Sequence, residues 1–507
     1  MTTVQDISGH QAGSASAAAV RTHDRARWHA LLTAMSKTGG AAMASGLLSA
    51  LSTKVVAAVA GPAAVAWLVT LQQLRQTALV ASTGNGQTAL VRGASALESR
   101  ARREFVRTAL CIFSAATSAM ALTMIAAPGW VAHSAGLPPQ ASGAVRWLAL
   151  PVVLSSVFVF LSGLLNALGG IGDLAVLQIL AAAAMAAGAW PASRGVLGDA
   201  IGVAARSVTS LTAAFVGGGS TPGWAGGDVN RPEFLVWLLS FSAAVSAGAA
   251  GWALFRRRRE WHDWFRGPGR RWAPEAARHF GGLSLAMLVS GLVASGALLA
   301  VRARITSAQG LVVTGQFDAA WSISMNYVTL VLASLQTYYL PALSRARTAV
   351  QRNQQISTVL TATTLIAAVL IAAVAVLKPY LFTWLFSRAF RPGAQYLRWT
   401  LLGDYLKVTS WILSIPILAA ADMKVFLAAD LAAYGVFLGA ALGLTHWLTA
   451  AASAAVAFVL MYAAHLLICA VYLARCRQFV PARAARWAWT GGLAVVASIS
   501  AFTWGQG

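Results

Sequence analysis

Apolar residues along this chain gather into long, nearly unbroken blocks separated by short polar or basic stretches. Val145–Leu168, Phe234–Phe255, Ile356–Leu377 and Ala451–Leu473 each approach the ~20 residues a helix needs to cross a hydrocarbon core. Backbone groups in lipid must bond within their own segment, so such blocks predict helices. A transmembrane β-barrel would show short alternating stretches instead, and the sequence has none. The pattern predicts membrane helices over 39–60, 63–90, 107–127, 145–168, 172–190 and 233–255, then over 281–304, 315–341, 356–377, 397–420, 425–445 and 451–474. A shorter, glycine-containing block, Trp487–Trp504, leaves a thirteenth span open.

The expected fold class is therefore an all-α integral membrane protein with two pseudo-symmetric six-helix lobes around a central cavity. A cytoplasmic segment (1–38) precedes the first lobe (39–255), and a basic linker (256–280) leads to the second (281–475), followed by a tail (476–507). Residues 191–232 form a Gly- and Ser-rich insertion expected on the periplasmic side. For its Gly195–Val216 stretch two readings stand, an interfacial amphipathic helix or a poorly ordered insertion. The halves share a faint echo. Gly61, Ala66 and Trp67 recur as Gly315, Ala320 and Trp321 at the same offsets, each group opening a helix.

Composition agrees: 58% of the 507 residues are hydrophobic and 10% charged. The formal charge of +23 would suit nucleic acid, but its placement argues otherwise. About 25 of the 38 Lys and Arg residues lie in six stretches that share one side if every block crosses once. That bias predicts a multi-pass protein of a bacterial inner membrane with a cytoplasmic N-terminus, no nucleic-acid partner, and the Arg256–Arg259 run at anionic headgroups. The first thirty residues lack the apolar core of a cleaved signal peptide, so the first helix is expected to direct insertion. Cys111, Cys469 and Cys476 have no metal or redox spacing and read as packing residues. Gly435, Gly439 and Gly443 read as a face for close helix packing. Glu260, His262 and Asp263 read as an ion-paired surface and not a metal site; no metal or other cofactor is expected.

Ionisable residues inside spans are costly and point to a polar cavity or pathway. Lys54 lies in the first predicted helix, and Arg75 in the second beside Gln72, Gln73 and Gln76. Arg302 and Arg304 close the seventh, Asp318 begins the eighth, and Asp404 and Lys407 lie in the tenth. The amides and Arg75 predict a polar stripe that lipid cannot solvate. It suits a wet, cationic cavity for an anionic ligand, where a guanidinium grips phosphate oxygens; hydrogen bonding between helices is the other reading. Lys54, Arg302 and Arg304 are expected to line that cavity together with Arg75, Gln72, Gln73 and Gln76, and Arg302 and Arg304 also suit snorkelling to headgroups. Asp318 suits either pairing with an arginine or coupling to an ion gradient. Asp404 and Lys407, spaced i, i+3, suit either mutual neutralisation or coupling to a proton or sodium gradient.

These residues carry a resemblance. Lys54 to Pro62 followed by Gln72-Gln-Leu-Arg75-Gln resembles the first two helices of Wzx-type flippases of the multidrug/oligosaccharidyl-lipid/polysaccharide exporter superfamily. Arg302 through Gly315 to Ser324, Leu335 through Tyr339-Leu-Pro341 to Ser344, and Gly403-Asp404-Tyr-Leu-Lys407 are similar to later stretches of the O-antigen and enterobacterial common antigen translocases. The resemblance spans roughly 39–475. It implies a two-lobed transporter, not an enzyme, that moves an undecaprenyl-pyrophosphate-linked oligosaccharide to the periplasmic leaflet for surface polysaccharide biosynthesis. It implies membrane lipids as partners, with a polysaccharide polymerase and a chain-length regulator as candidates. The insertion after the fifth helix and the tail after Arg475 depart from that pattern. A multidrug cation antiporter of the same superfamily is the first rival, although its cavity should favour acidic residues. A membrane glycan polymerase or ligase is the second, but 191–232 offers few catalytic groups beyond Asp199 and Asp228.

Overall fold

A computed structural model describes residues 5–192, 232–266, 272–345, 348–420 and 422–502. The expected 191–232 insertion, with its Gly195–Val216 stretch, lies almost wholly outside the described residues. Among the described residues all regular structure is helical. The order is α1 (Gln5–Thr83), α2 (Gln87–Ala96), α3 (Ser99–Ala126), α4 (Pro128–Ser134), α5 (Ser142–Ala167), α6 (Ile171–Ala192) and α7 (Pro232–Arg256). It continues with α8 (Arg258–Phe265), α9 (Pro274–Arg345), α10 (Ala349–Leu385), α11 (Ala394–Ala419), α12 (Met423–Gly443), α13 (Ala450–Arg477) and α14 (Arg483–Phe502).

Ten helical stretches of the described residues are long and apolar enough to cross a membrane. Two of them, Ala44–Ser95 with 52 residues and Ser284–Val328 with 45, are far too long for one crossing. At 1.5 Å per residue the shorter would extend roughly 68 Å, more than twice a ~30 Å hydrocarbon core. Ala44–Ser95 is broken at Gly61 (φ 73°, ψ −169°) and again by the turn at 84–86, and Ser284–Val328 is broken at Gly310 (φ 82°, ψ 171°). Side chains across the Gly310 break show that the chain folds back. Thr306 and Thr314 share a hydrogen bond of 3.0 Å, and Arg302 Nε donates to Asp318 Oδ1 at 2.8 Å. Sixteen residues along a straight helix would hold Arg302 and Asp318 about 24 Å apart. The breaks at Gly61 and Gly310 therefore each separate two of the predicted spans, and every predicted segment is mainly helical, although 63–90 is cut by the turn at 84–86.

Pro62 follows the first break, where a fixed φ and a missing N–H suit the opening turn of a helix. The matching glycine of the second half is Gly310, five residues before the Gly315 that the sequence echo pairs with Gly61. Gly315 does something else: its Cα abuts Pro62, and a Cβ there would lie 1.9 Å from the Pro62 carbonyl oxygen. The composition match thus reports a close contact between the halves instead of equivalent positions.

The linker contains the short amphipathic helix α8. Its Trp264 is buried, and Trp261 Nε1 donates to the Leu254 carbonyl at 2.7 Å, which folds α8 back beneath α7. Helix α14 covers most of the block left open as a thirteenth span. It docks on α11, where Tyr405 Oη donates to the Trp489 carbonyl at 2.8 Å, and it is not among the ten membrane-capable stretches. The glycine stripe of α12 needs correction. Gly435, Gly439 and Gly443 are exposed, and a Cβ at any of them would meet nothing within 4 Å. Large residues on the opposite face, such as Phe437, make the packed side of that helix.

Candidate functional site

Helix α1 beyond Gly61 carries the amide–arginine stripe, and the structure splits it between two environments. Residues 73 and 75 are about 200° apart around a helix, so they serve opposite faces. Arg75 turns toward α5 and α7. Its Nη1 donates to Ser155 Oγ at 3.0 Å, while its Nε is buried without a hydrogen-bond partner. It lines a cavity of 490 Å³ together with Gln76, Thr83, Asn85, Gln87, Thr88, Ser155, Ser242 and Ser246, walled by apolar residues including Phe158 and Met287. No carboxylate is among the lining residues, and no described acid lies within ion-pairing distance of Arg75. The cavity thus holds one cation amid hydroxyls and amides.

Gln73 turns the other way, to α9. Its Oε1 accepts from Arg302 Nη1 at 3.0 Å and its Nε2 donates to the Ser295 carbonyl at 3.5 Å. Arg302 is only 5% exposed and is held by Asp318. A charge buried so deeply must be paired, and the fold-back at Gly310 brings the partner. The expectation that Lys54, Arg75, Arg302 and Arg304 line one shared cavity is corrected in position. Only Arg75 and Gln76 reach the cavity described; Arg302 and Gln73 form a separate network with Asp318, whose Oδ2 is buried without a hydrogen-bond partner. Lys54 and Arg304 are exposed outside its lining, and Gln72 lies half-buried, also outside it.

In the second half, Asp404 is fully buried. It accepts from Ser324 Oγ at 2.8 and 2.7 Å on its two oxygens and from Tyr327 Oη at 2.5 Å. Lys407 makes no salt bridge with it, although the two charges are close enough to attract each other. The ammonium contacts Met325 Sδ at 3.0 Å and sits 5.6 Å from the centre of the Tyr462 ring. The i, i+3 spacing put the two on one face, yet each found its own partner on neighbouring helices. Sequence reasoning missed a further cluster. Asp430 of α12 accepts from Ser290 Oγ at 2.6 Å and lies 3.5 Å from His465 Nε2 of α13. The rule that singled out Asp404 (an ionisable residue within a span) applies equally to Asp430 and His465. The serines of the Arg75 cavity carried no such signal, because Ser is common in apolar helices. Glu260, His262 and Asp263 lie at the surface, Glu260 in an ion pair with Arg257 at 3.7 Å and His262 Nδ1 3.4 Å from Asp263.

Comparison with known proteins places this geometry on a recognised scaffold. No protein-family model and no curated sequence matches the chain. Solved structures do. An inward-facing multidrug resistance transporter of the MATE family, in the MOP superfamily, is 15% identical with a TM-score of 0.64, covering 90% of this chain and 96% of that one. An outward-facing MATE transporter is likewise 15% identical with a TM-score of 0.56, over 92% and 96%. A MOP-superfamily transporter from Pyrococcus furiosus, described for a binding pocket of reverse polarity that suggests a different function, is 13% identical with a TM-score of 0.55, over 92% and 96%. The chain is a multi-pass, all-α membrane protein with the fold of MATE transporters.

Proposed function

We propose that this protein carries an amphipathic anion across the membrane, namely a polyprenyl-pyrophosphate-linked oligosaccharide moving from the cytoplasmic to the periplasmic leaflet. The observation that carries this reading is Arg75, a cation without a counter-charge in a 490 Å³ cavity lined by hydroxyls and amides. An ionised phosphate in hydrocarbon costs tens of kcal/mol if left unsolvated. A guanidinium with a free Nε offers the charge-assisted hydrogen bonds that replace part of its hydration, while Ser155, Ser242, Ser246 and Gln87 can meet sugar hydroxyls. The polyprenyl tail stays in lipid, which is as apolar as any groove the protein could offer it. The resemblance to Wzx-type translocases at Lys54–Pro62 and Gln72–Gln76 points the same way. So does the existence, on this fold, of a transporter whose binding pocket has reversed polarity.

The multidrug reading would need a carboxylate facing the cavity, and the in-span acids are engaged elsewhere: Asp318 by Arg302, Asp404 by Ser324 and Tyr327, and Asp430 by Ser290 beside His465. The test is transport in proteoliposomes, offering a polyprenyl-pyrophosphate-linked sugar in one arm and a fluorescent organic cation in the other. Arg75→Ala should slow lipid-linked sugar movement about tenfold or more, the worth of one charged hydrogen bond, and Arg75→Lys should retain part of it. Lipid-linked sugar transport at the unmodified rate in Arg75→Ala, or transport of the cation alone, would overturn the assignment.

A further inference from the structure

A second cavity lies on the far side of α5 from Arg75. It measures 640 Å³, within the ~300–1,000 Å³ of ligand sites, and is walled by α3, α5 and α7 with α8 across one end. The two cavities share α5 but not its faces. Ser155, Phe158 and Val159 look toward Arg75, whereas Ser156, Val157 and Phe160 look into the second cavity. Its lining is almost wholly apolar, and the hydroxyls of Thr117 and Ser156 satisfy each other at 2.6 Å. It runs from Leu164 to Val153 along α5. That length is roughly 16 Å, or about half of a ~30 Å hydrocarbon core, so it matches one leaflet.

The closed end of this groove is basic. Arg258 lies 5.0 Å over the ring of Phe255, a lining residue, and Arg107 Nη2 donates to the carbonyl of Phe265, another. Arg259 and Arg266 are exposed beside them, while Glu260 turns back to Arg257. The geometry points to a binding site for one anionic glycerophospholipid, with an acyl chain in the groove and its phosphate at Arg258. Apolar lining alone selects nothing in a membrane, because lipid tails solvate every outward face equally. Selection here comes from the concave shape joined to a cationic rim. The occupant is not the tail of the transported molecule proposed above, since α5 stands between this groove and Arg75. The inference does not depend on what Arg75 binds.

The test is native mass spectrometry of the purified full chain, delipidated and then titrated with phosphatidylglycerol or phosphatidylethanolamine. Wild-type protein should retain one phosphatidylglycerol at least tenfold more tightly than phosphatidylethanolamine. Arg258→Glu should abolish that preference. Ser114 and Ser118 line the groove from an exposed face of α3, one turn apart, so Ser114→Phe and Ser118→Phe should fill it and remove the adduct without unfolding the protein. Melting temperature in detergent reports folding for each variant. Equal retention of the two lipids, an adduct undisturbed by the folded Phe variants, or displacement of phosphatidylglycerol by a polyprenyl phosphate would each overturn the site.

Discussion

Arg75 and Arg302 are two in-span arginines with opposite fates, and the difference lies in what stands within reach. Arg302 meets Asp318 at 2.8 Å and Gln73 at 3.0 Å, a compact network with little room for a ligand. Removing one member of a buried pair leaves the other uncompensated, at a cost of about 3–5 kcal/mol, whereas removing both leaves only a packing defect. Arg302→Met and Asp318→Leu should therefore each lower the melting temperature in detergent far more than the two substitutions combined. Additive losses in that double-mutant cycle would show that the pair contributes nothing as a pair. The sequence could reveal that both arginines were anomalous, since any charge within a span is. It could not reveal which one was free. That depends on a hairpin partner sixteen residues away and on whether Gln73 faces α9, neither of which hydropathy records.

At the scale of elements, hydropathy marked helical segments in both halves but misjudged where helices stop. Residues 305–309 and 311–314 were expected between helices, yet both are helical right up to Gly310. Likewise α10 runs over Ala349–Leu385 where 356–377 was expected. Hydropathy marks the depth of lipid, whereas helix ends are set by the backbone ladder, and the ladder continues into the polar zone until a residue leaves helical φ and ψ. Gly310 is that residue, and its φ of 82° with ψ 171° is a conformation essentially reserved for glycine that costs an L side chain on the order of 1–3 kcal/mol. Since no atom lies within 4 Å of a Cβ at Gly310 or Gly61, strain and not collision should govern Gly310→Ala and Gly61→Ala. Both should unfold at lower temperature. Gly296→Ala, in ordinary helix with equally open surroundings, should be neutral or stabilising by up to ~1 kcal/mol. A destabilised Gly296→Ala with an unaffected Gly310→Ala would show that the breaks are not what the dihedral angles say.

Over the whole molecule, α1 and α9 join the two halves at both ends, and the two joints differ in kind. Beside the glycine breaks the contact is backbone on backbone or nearly so. Gly315 abuts Pro62, and a Cβ on Gly136 would lie 2.1 Å from that of Ala303. At the opposite end side chains make the joint, Asn85 Nδ2 donating to the Met287 carbonyl at 3.2 Å and Phe280 filling the space beside Gly86. A side chain can swing to a new rotamer, but a carbonyl cannot move without its helix. The side-chain end is accordingly the easier one to open, and the backbone end stays shut while Gly315 remains a glycine. Gly315→Ala places a methyl group 1.9 Å from the Pro62 oxygen, a distance no local relaxation accommodates, so the two helices must part there. Spin labels at Ser134→Cys and Ser307→Cys, in a background where Cys111 and Cys476 are replaced, would read the separation across that joint. Gly315→Ala should shift the distances to longer values and Gly296→Ala should not. An unchanged distribution would mean that the close approach at Pro62 does not hold that end of the molecule closed.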